Sequence, residues 1–389
     1  MIVGREWVEE NLGFDPISNP APSTTFQFSP AAKPGSSAED LQREIIDFDS
    51  ESPEGLLFLA FSTATGLSRF SDILWPKGLA PQTSSTAGGT KGGPLPEADV
   101  LVVTWTVDEG HALSRVLTPG KDSRNDYLAY THNYSKISKK MSRGSPAVQA
   151  KRLGAYWTTK IGKKKVVVFK SDSHLSQDTK KLPNWSRGET LPNEDVWKQI
   201  LEETGAKLVI TTGTAGGIGK QFEVGDVVVS PIVRFDCIKW LKSAPFHLAS
   251  YKDGSPNVRL FAKAKTLFKA NSGQLPKGNS RAPKIFKSTG VSTSVVTTDF
   301  FGFDTSNNRY KLRGLGDVSE MGDAVLGLVT KQMGNNAPSW IAVRNVSDPQ
   351  IKAVGTPEQQ AQIAAQIYKG FGRWSSVCSA IVCWALIAA

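Results

Sequence analysis

Residues 208–236 read LVITTGTAGGIGKQFEVGDVVVSPIVRFD. The run Val209-Ile210-Thr211-Thr212 is apolar and β-branched, the pattern of a buried strand, and it stops at Gly213-Thr214-Ala215-Gly216-Gly217. Glycines there let backbone approach a ligand without side chains in the way. Two familiar phosphate loops fail. A dinucleotide fingerprint needs glycine where this chain has Ala215, and a helix should follow directly, whereas Glu223-Val224-Gly225-Asp226 leads into Val227-Val228-Val229. A Walker loop needs Ser or Thr after its lysine, and Lys220 is followed by Gln221.

The combination of GTAGG, GDVVVS and the Arg234-Phe235-Asp236 triplet closely resembles the nucleoside phosphorylase and nucleosidase superfamily. The resemblance implies a three-layer αβα fold with a twisted mixed central sheet. It places Gly213, Thr214, Ala215, Gly216, Gly217 and Arg234 on the sugar side of a nucleoside pocket. Trp340-Ile341-Ala342-Val343-Arg344-Asn345-Val346-Ser347-Asp348 reads as a buried strand with Ser and Asp at its exit. In the superfamily that Asp protonates the imidazole-ring nitrogen of a purine leaving group, a role carried here to Asp348 with Ser347 as orienting partner. Neutralising the departing base in this way is worth roughly 10²–10⁴-fold in rate.

At the front of the core, Val100-Leu101-Val102-Val103-Thr104-Trp105 is a second apolar strand, followed by Val107-Asp108-Glu109. In the nucleosidase branch the last Glu of such a run activates the attacking water. Glu109 falls at that place and would face the leaving base across the sugar, the two-carboxylate logic of inverting glycoside cleavage. Asp108 and Glu109 also suit the positive end of a helix dipole. The phosphorylase branch carries a GDPxR-like phosphate loop at this point, which this chain lacks, so water is favoured over phosphate as nucleophile.

The run Ser292 to Phe301 is similar to the family strand ending in SGDAF. It puts Asp299 at the pocket and Phe301 against the base, with Phe300 substituting if the register slips by one. Ser319-Glu320-Met321-Gly322-Asp323 aligns with the helix start EMEAA, whose second Glu grips the ribose hydroxyls. Here that position is Gly322, so Glu320, Met321 and Asp323 are the candidates for the sugar side, or the sugar differs from plain ribose. On a helix one residue is about 100° of rotation, so Asp323 reaches the same hydroxyls only if the helix start is irregular. After the strand Val166-Val167-Val168-Phe169, Ser171 or Ser173 is the ribose-contacting Ser that the resemblance implies.

The 389 residues carry a net charge of +10, suiting one large α/β domain with extensions. The expected division is an N-terminal extension at 1–95, a catalytic domain at 96–370 and an apolar C-terminal helix at 371–389. Pro/Ser-rich residues 16–37 and Gly/Ser/Thr-rich residues 82–94 read as loops or linkers, with short helices between at Leu41 to Phe48 and Gly55 to Leu74. Pro192 opens and Gly205 closes a helix, a second helix runs over 320–333, and a final one runs from Pro357 toward Tyr368. The first 60 residues hold 11 acidic and 3 basic side chains, leaving +18 on the rest. Residues 136–181 hold 13 Lys/Arg against Asp172 and Asp178, and a basic insertion at about 119–160 is expected as a loop or small subdomain near the pocket mouth. That charge is either a solvated face or a site for a phosphate-bearing substrate or nucleic acid, the last not favoured without interleaved aromatics. Three cysteines and four histidines form neither a disulfide framework nor a metal set, so no metal is expected and a reducing, cytoplasmic setting is. The apolar run from Cys378 to Ala389 is too short to span a bilayer. No cofactor is implied, beyond inorganic phosphate as co-substrate for a phosphorylase, and the family commonly forms homo-oligomers. The leading expectation is an N-ribosyl hydrolase releasing a purine from a nucleoside or nucleotide. The alternatives are a phosphate-dependent phosphorylase and a non-catalytic nucleotide-sensing or partner-binding module.

Overall fold

The computed structural model describes residues 75–180, 191–241, 245–253, 283–308, 311–351 and 355–389, with Ile46, Ile73 and a few single positions between these segments. Apart from Ile46 and Ile73, the helices expected between Leu41 and Leu74 lie outside the described residues. The strands are β1 (Gln82–Thr83), β2 (Val100–Thr104), β3 (Leu128–Tyr130), β4 (Gly154–Ile161), β5 (Lys164–Ser171), β6 (Leu208–Gly217) and β7 (Val227–Ser230). They continue with β8 (Ile232–Asp236), β9 (His247–Lys252), β10 (Ile285–Lys287), β11 (Val295–Thr297), β12 (Val318–Glu320) and β13 (Ser339–Asp348). The helices are α1 (Val107–Leu117), α2 (Tyr134–Ile137), α3 (Pro146–Ala150), α4 (Leu175–Asp178), α5 (Pro192–Thr204), α6 (Asp323–Met333) and α7 (Pro357–Ala388).

Continuous apolar runs become central parallel strands because both of their faces are buried. β2 lies between β5 and β6, parallel to both, and β6 is parallel to β13 on its other side. All five residues of β2 are buried. The thirteen strands form one mixed sheet ordered β1-β4-β5-β2-β6-β12-β11-β8-β9, with β13 between β6 and β7. Helices α1 and α7 pack on each other, with α7 against β6 and β13; α5 and α6 form a second pair, with α6 against β8, β9 and β11. This is the mixed-sheet αβα architecture implied by the sequence.

Several features differ from the sequence reading. The glycine run remains extended as the end of β6, because Gly216 and Gly217 change partner and pair antiparallel with Ser319 and Val318. Residues 82–94 do not form a free linker: β1 pairs with β4, the Trp157 Nε1 donates to the Ser84 carbonyl at 3.1 Å, and Gly89 lies against the Tyr156 ring. The basic insertion extends the sheet, since β3 and β4 continue the ladder beyond β5. Helix α6 begins at Asp323, after β12 rather than at residue 320.

The two expected C-terminal segments are one helix of 32 residues, opened by a capping box between Thr356 and Gln359 with Pro357 in the first turn. Its stretch Ile367–Ala388 is long and apolar enough to cross a bilayer, but 83% of the most apolar window is buried inside the protein, the setting of a core helix. Trp384 is fully buried; its Nε1 donates to the Leu79 carbonyl at 2.7 Å and its ring meets Trp75 edge-on at 4.5 Å. The substitution Trp384→Ala removes both contacts and leaves a cavity, and should cost about 3–5 kcal/mol, read as a lowered midpoint in urea denaturation.

Candidate active site

Ligands of open α/β sheets bind outside the carboxyl ends of parallel strands, and here the ends of β2, β5, β6 and β13 converge on one cavity. Thr106 caps α1, and Glu109 at the third helical position returns the bond, a complete capping box. One Glu109 oxygen, Oε2, accepts from Thr104 Oγ1 at 3.0 Å, Trp105 N at 3.0 Å and Thr106 N at 2.9 Å. The other, Oε1, accepts from Thr214 N at 2.8 Å and Thr214 Oγ1 at 2.7 Å. Five donors fill an acceptor with about four lone-pair sites. Burial alone would raise the Glu109 pKa, but Arg344 and these donors outweigh it and hold the group below its ordinary 4.5. Glu109 therefore lines the cavity as a fixed carboxylate.

Asp348 is the opposite case. It is 4% exposed and lines the cavity. Ser347 Oγ donates to its Oδ1 at 2.8 Å, while Oδ2 is buried with no hydrogen-bond partner. Burial pushes the Asp348 carboxyl up to about 7, outweighing the lowering by the Ser347 hydrogen bond. A Cβ at position 216 would sit 3.0 Å from Oδ2, so glycine there keeps that oxygen open. Thr214, Ala215 and Gly216 line the cavity, whereas Gly217 packs against Val346 and Phe222.

Gly213 has φ +149° and its missing Cβ would fall 2.5 Å from Glu109 Oε1. Phe301, and not Phe300, lines the cavity; Phe300 packs instead in a small cluster with Ile218, Val296 and Leu312. Ile46 from the N-terminal region, 4% exposed, also reaches the wall. From α7 comes Tyr368, whose hydroxyl pairs with Thr106 Oγ1 at 2.9 Å.

The acidic group of the 319–323 segment is directed inward. Arg344 donates from Nε to Asp323 Oδ2 at 2.8 Å and from Nη2 to Oδ1, a bidentate pair. Its Nη2 also lies 3.2 Å from Glu320 Oε2, and the guanidinium stands 4.7 Å from the Trp105 ring centroid. Glu320 and Met321 line the cavity; Asp323, committed to Arg344, does not. Glu320 in turn accepts from Gly322 N at 2.7 Å and Asp323 N at 3.0 Å, covering the open end of α6. Burial and then Asp323 push Glu320 up to about 7 against the pull of Arg344.

Asp299, Arg234 and Ser171 also lie away from the cavity. Asp299 accepts from Ile238 N at 2.9 Å, Lys239 N at 3.1 Å and Leu241 N at 2.8 Å, pinning a loop instead of meeting a ligand. Arg234 on β8 donates to the Leu315 carbonyl at 3.4 Å. Ser171 Oγ donates to the Ser173 carbonyl and accepts from Ser173 N, both at 3.1 Å. The cavity residue near this strand is His174, which the sequence reading missed.

A model of the phosphorylase superfamily matches residues 126–382, and the chain belongs to that superfamily. Among solved structures, it is similar to the 5′-methylthioadenosine/S-adenosylhomocysteine nucleosidase of Neisseria meningitidis bound to methylthio-immucillin-A, at 17% identity and TM-score 0.47, covering 75% of this chain and 99% of that one. It is also similar to the S-adenosylhomocysteine nucleosidase of Streptococcus pyogenes, at 15% and 0.46 over 76% and 98% of the two chains. Futalosine hydrolase of Helicobacter pylori aligns at 12% and 0.46 over 74% and 96%. No curated protein sequence matches.

Because Gly213 combines a positive φ with close approach to Glu109, Gly213→Ala should destabilise the fold by more than about 1 kcal/mol. It should also displace Glu109, and the loss of stability is measurable as a lower melting temperature.

Proposed function

We propose that the protein is a nucleosidase that hydrolyses the N-glycosidic bond of a purine nucleoside. One observation carries this reading: Asp348 is a cavity carboxyl with a pKa of about 7 and an unpartnered oxygen. Such a group holds a proton near neutral pH and has an atom free to deliver it. As the C–N bond breaks, its electron pair passes to the base, and the Asp348 proton goes to the ring nitrogen of the leaving purine. Phe301 supplies a face for the base, a contact worth roughly 1–3 kcal/mol where aromatic stacking on bases has been measured.

The sugar is left with oxocarbenium character, which the fixed charge of Glu109 stabilises. Water attacks the anomeric carbon, and an electron-poor carbon demands little from the base. Since Thr214 Oγ1 donates to Glu109 Oε1, its lone pairs are available to hold that water, and the lost proton relays through this hydroxyl to Glu109. Two carboxyl groups with pKa values pushed apart by their surroundings thus take the acid and the anionic roles.

The cavity chemistry favours a nucleoside over a nucleotide and water over phosphate. Among the described residues, Arg344 is the only Lys or Arg lining it, and Arg344 is engaged by Asp323 and Glu320. Two lysines of the basic stretch are paired with carboxylates: Lys140 with Asp195 and Lys170 with Asp172.

Chromatography of a panel of purine nucleosides with and without inorganic phosphate tests the assignment. Free base is expected in both conditions; release that requires phosphate would establish a phosphorylase instead. Asp348→Asn should lower the rate roughly 10²–10⁴-fold, and an unchanged rate would remove Asp348 as the acid.

The pH dependence has a defined sign. The rate should be level from about pH 5 to about 7 and fall above, as Asp348 loses its proton. Because the folded-state pKa exceeds the ordinary 3.8, this group's contribution to stability is full below about pH 4 and is lost as pH rises through 7. Asp348→Asn removes that dependence, so its melting temperature at pH 8 should equal or exceed that of the unsubstituted protein.

A further inference from the structure

Beside Glu109 the cavity wall is made by the C-terminal helix. Tyr368 is 2% exposed and lines the cavity from α7. That helix packs on α1 and on β6, the elements that carry Glu109 and Thr214. A Cβ at position 372, one turn on, would sit 3.1 Å from the Tyr368 ring, so glycine there leaves the ring its place. The Tyr368 hydroxyl falls among the groups that surround the carboxylate. It pairs with Thr106 Oγ1 at 2.9 Å, and the Thr214 hydroxyl is the other side chain that hydrogen-bonds it. Burial and then the Glu109 charge raise this phenol well above its ordinary 10, so it keeps a proton to donate.

The inventory of hydroxyl protons gives these contacts a direction. A hydroxyl donates one proton and accepts through two lone pairs, whereas an ionised carboxylate only accepts. The proton of Thr214 Oγ1 is therefore spent on Glu109 Oε1 at 2.7 Å. Toward Tyr368, Thr214 can only accept. Thr106 Oγ1 accepts from Glu109 N at 3.3 Å, and among the described residues the Tyr368 oxygen is the acceptor within reach of its own proton. The chain that gives every proton an acceptor runs from Thr106 to Tyr368 to Thr214 to Glu109, and bonds in such a chain strengthen one another. It uses the Thr214 proton and one Thr214 lone pair. The second lone pair is left for a water in the cavity that Thr214 lines.

We infer that Tyr368 is a positioning residue for the hydrolysis: its hydroxyl fixes the Thr214 hydroxyl in the orientation that joins the attacking water to Glu109. As the water oxygen bonds to the anomeric carbon, a water proton passes to Thr214 Oγ1 and the Thr214 proton passes to Glu109 Oε1. The electron pair of the broken C–N bond leaves with the base, which takes the Asp348 proton. Without the phenol oxygen, Thr214 keeps its bond to Glu109 but loses the partner that orients its lone pairs, and the water loses its fixed place. The inference rests on the nucleosidase reading, through the role given there to Thr214.

Tyr368→Phe removes one oxygen and keeps the ring. Release of free base from a purine nucleoside, followed by chromatography, should show kcat lowered about 10-fold, the effect of one hydrogen bond on a barrier. KM, and the calorimetric affinity for formycin A, whose carbon–carbon linkage cannot be hydrolysed, should stay within about twofold. In a Thr214→Val background the same change should cost less than about twofold, because the hydroxyl that Tyr368 orients is already gone. A Tyr368→Phe kcat within about twofold of the unsubstituted protein, an equal loss in both backgrounds, or a loss of formycin A affinity that matches the loss of rate overturns the inference and leaves the hydrolase standing. No base released from any nucleoside by the unsubstituted protein removes the hydrolase and this role with it.

Discussion

One buried guanidinium organises this site. Arg344, 3% exposed in the middle of β13, pairs with Asp323 at the start of α6 and Glu320 at the end of β12, and covers the Trp105 ring beyond the end of β2. A buried cation is tolerable only when fully paired, and removing one partner of such a set costs about 3–5 kcal/mol because the rest is left uncompensated. The end of β12, the start of α6 and the residue that follows β2 are held in one place by that requirement. The same charge also sorts the carboxyl groups: it holds Glu109 down and offsets part of the rise at Glu320. Asp348, four residues further along β13, has only burial and Ser347 acting on it. The carboxyl groups near the cavity thereby differ in protonation, although all of them are buried.

The cavity wall shows a second economy, in which structural and ligand-facing roles fall on the same atoms. Glu109 closes a helix cap, and Thr214 satisfies that carboxylate while keeping acceptor capacity toward the cavity. Glu320 covers the α6 N-terminus with its oxygens directed to backbone N–H groups. Gly322 fits this arrangement: its missing Cβ would lie 3.5 Å from the Trp105 ring, ordinary contact distance, so a side chain there would pack on an aromatic wall without clashing.

Much of the frame was legible because buried parallel strands announce themselves as unbroken apolar runs, as at Val100–Val103, Val209–Ile210 and Trp340–Val343. The ends of α5 were equally plain, with Pro192 in its first turn and Gly205 at φ +54° closing it. Partnership was not legible. Nothing in the run Thr298-Asp299-Phe300 indicates that the Asp side chain turns to the 238–241 backbone, and nothing near Asp323 indicates an Arg twenty-one residues away. The continuity of α7 was hidden by Gly370 and Gly372, whose composition suggests a break. In the fold, Gly372 lies close to the Tyr368 ring, 3.1 Å from where a Cβ would be. His174 left no periodic signal, because the segment Ser171-Asp172-Ser173-His174 is polar throughout and its burial depends on elements distant in sequence.

Helix α7 has a consequence for the order in which the molecule is assembled. It follows the thirteen strands of the described residues, yet its Tyr368 lines the cavity, its Ser375 and Ser379 hydrogen-bond the Asn345 side chain in mid-sheet at 2.8 and 2.7 Å, and its Trp384 reaches back to Leu79. The Asn345 contacts span only 30 and 34 residues, but those of Tyr368 with Thr106 and of Trp384 with Leu79 span 262 and 305, and such long loops close late. During synthesis, therefore, the strands must wait with Asn345 and the faces of β6 and β13 uncovered until α7 has emerged. Until this last helix docks, the cavity lacks Tyr368 and the faces of β6 and β13 that α7 covers are left open.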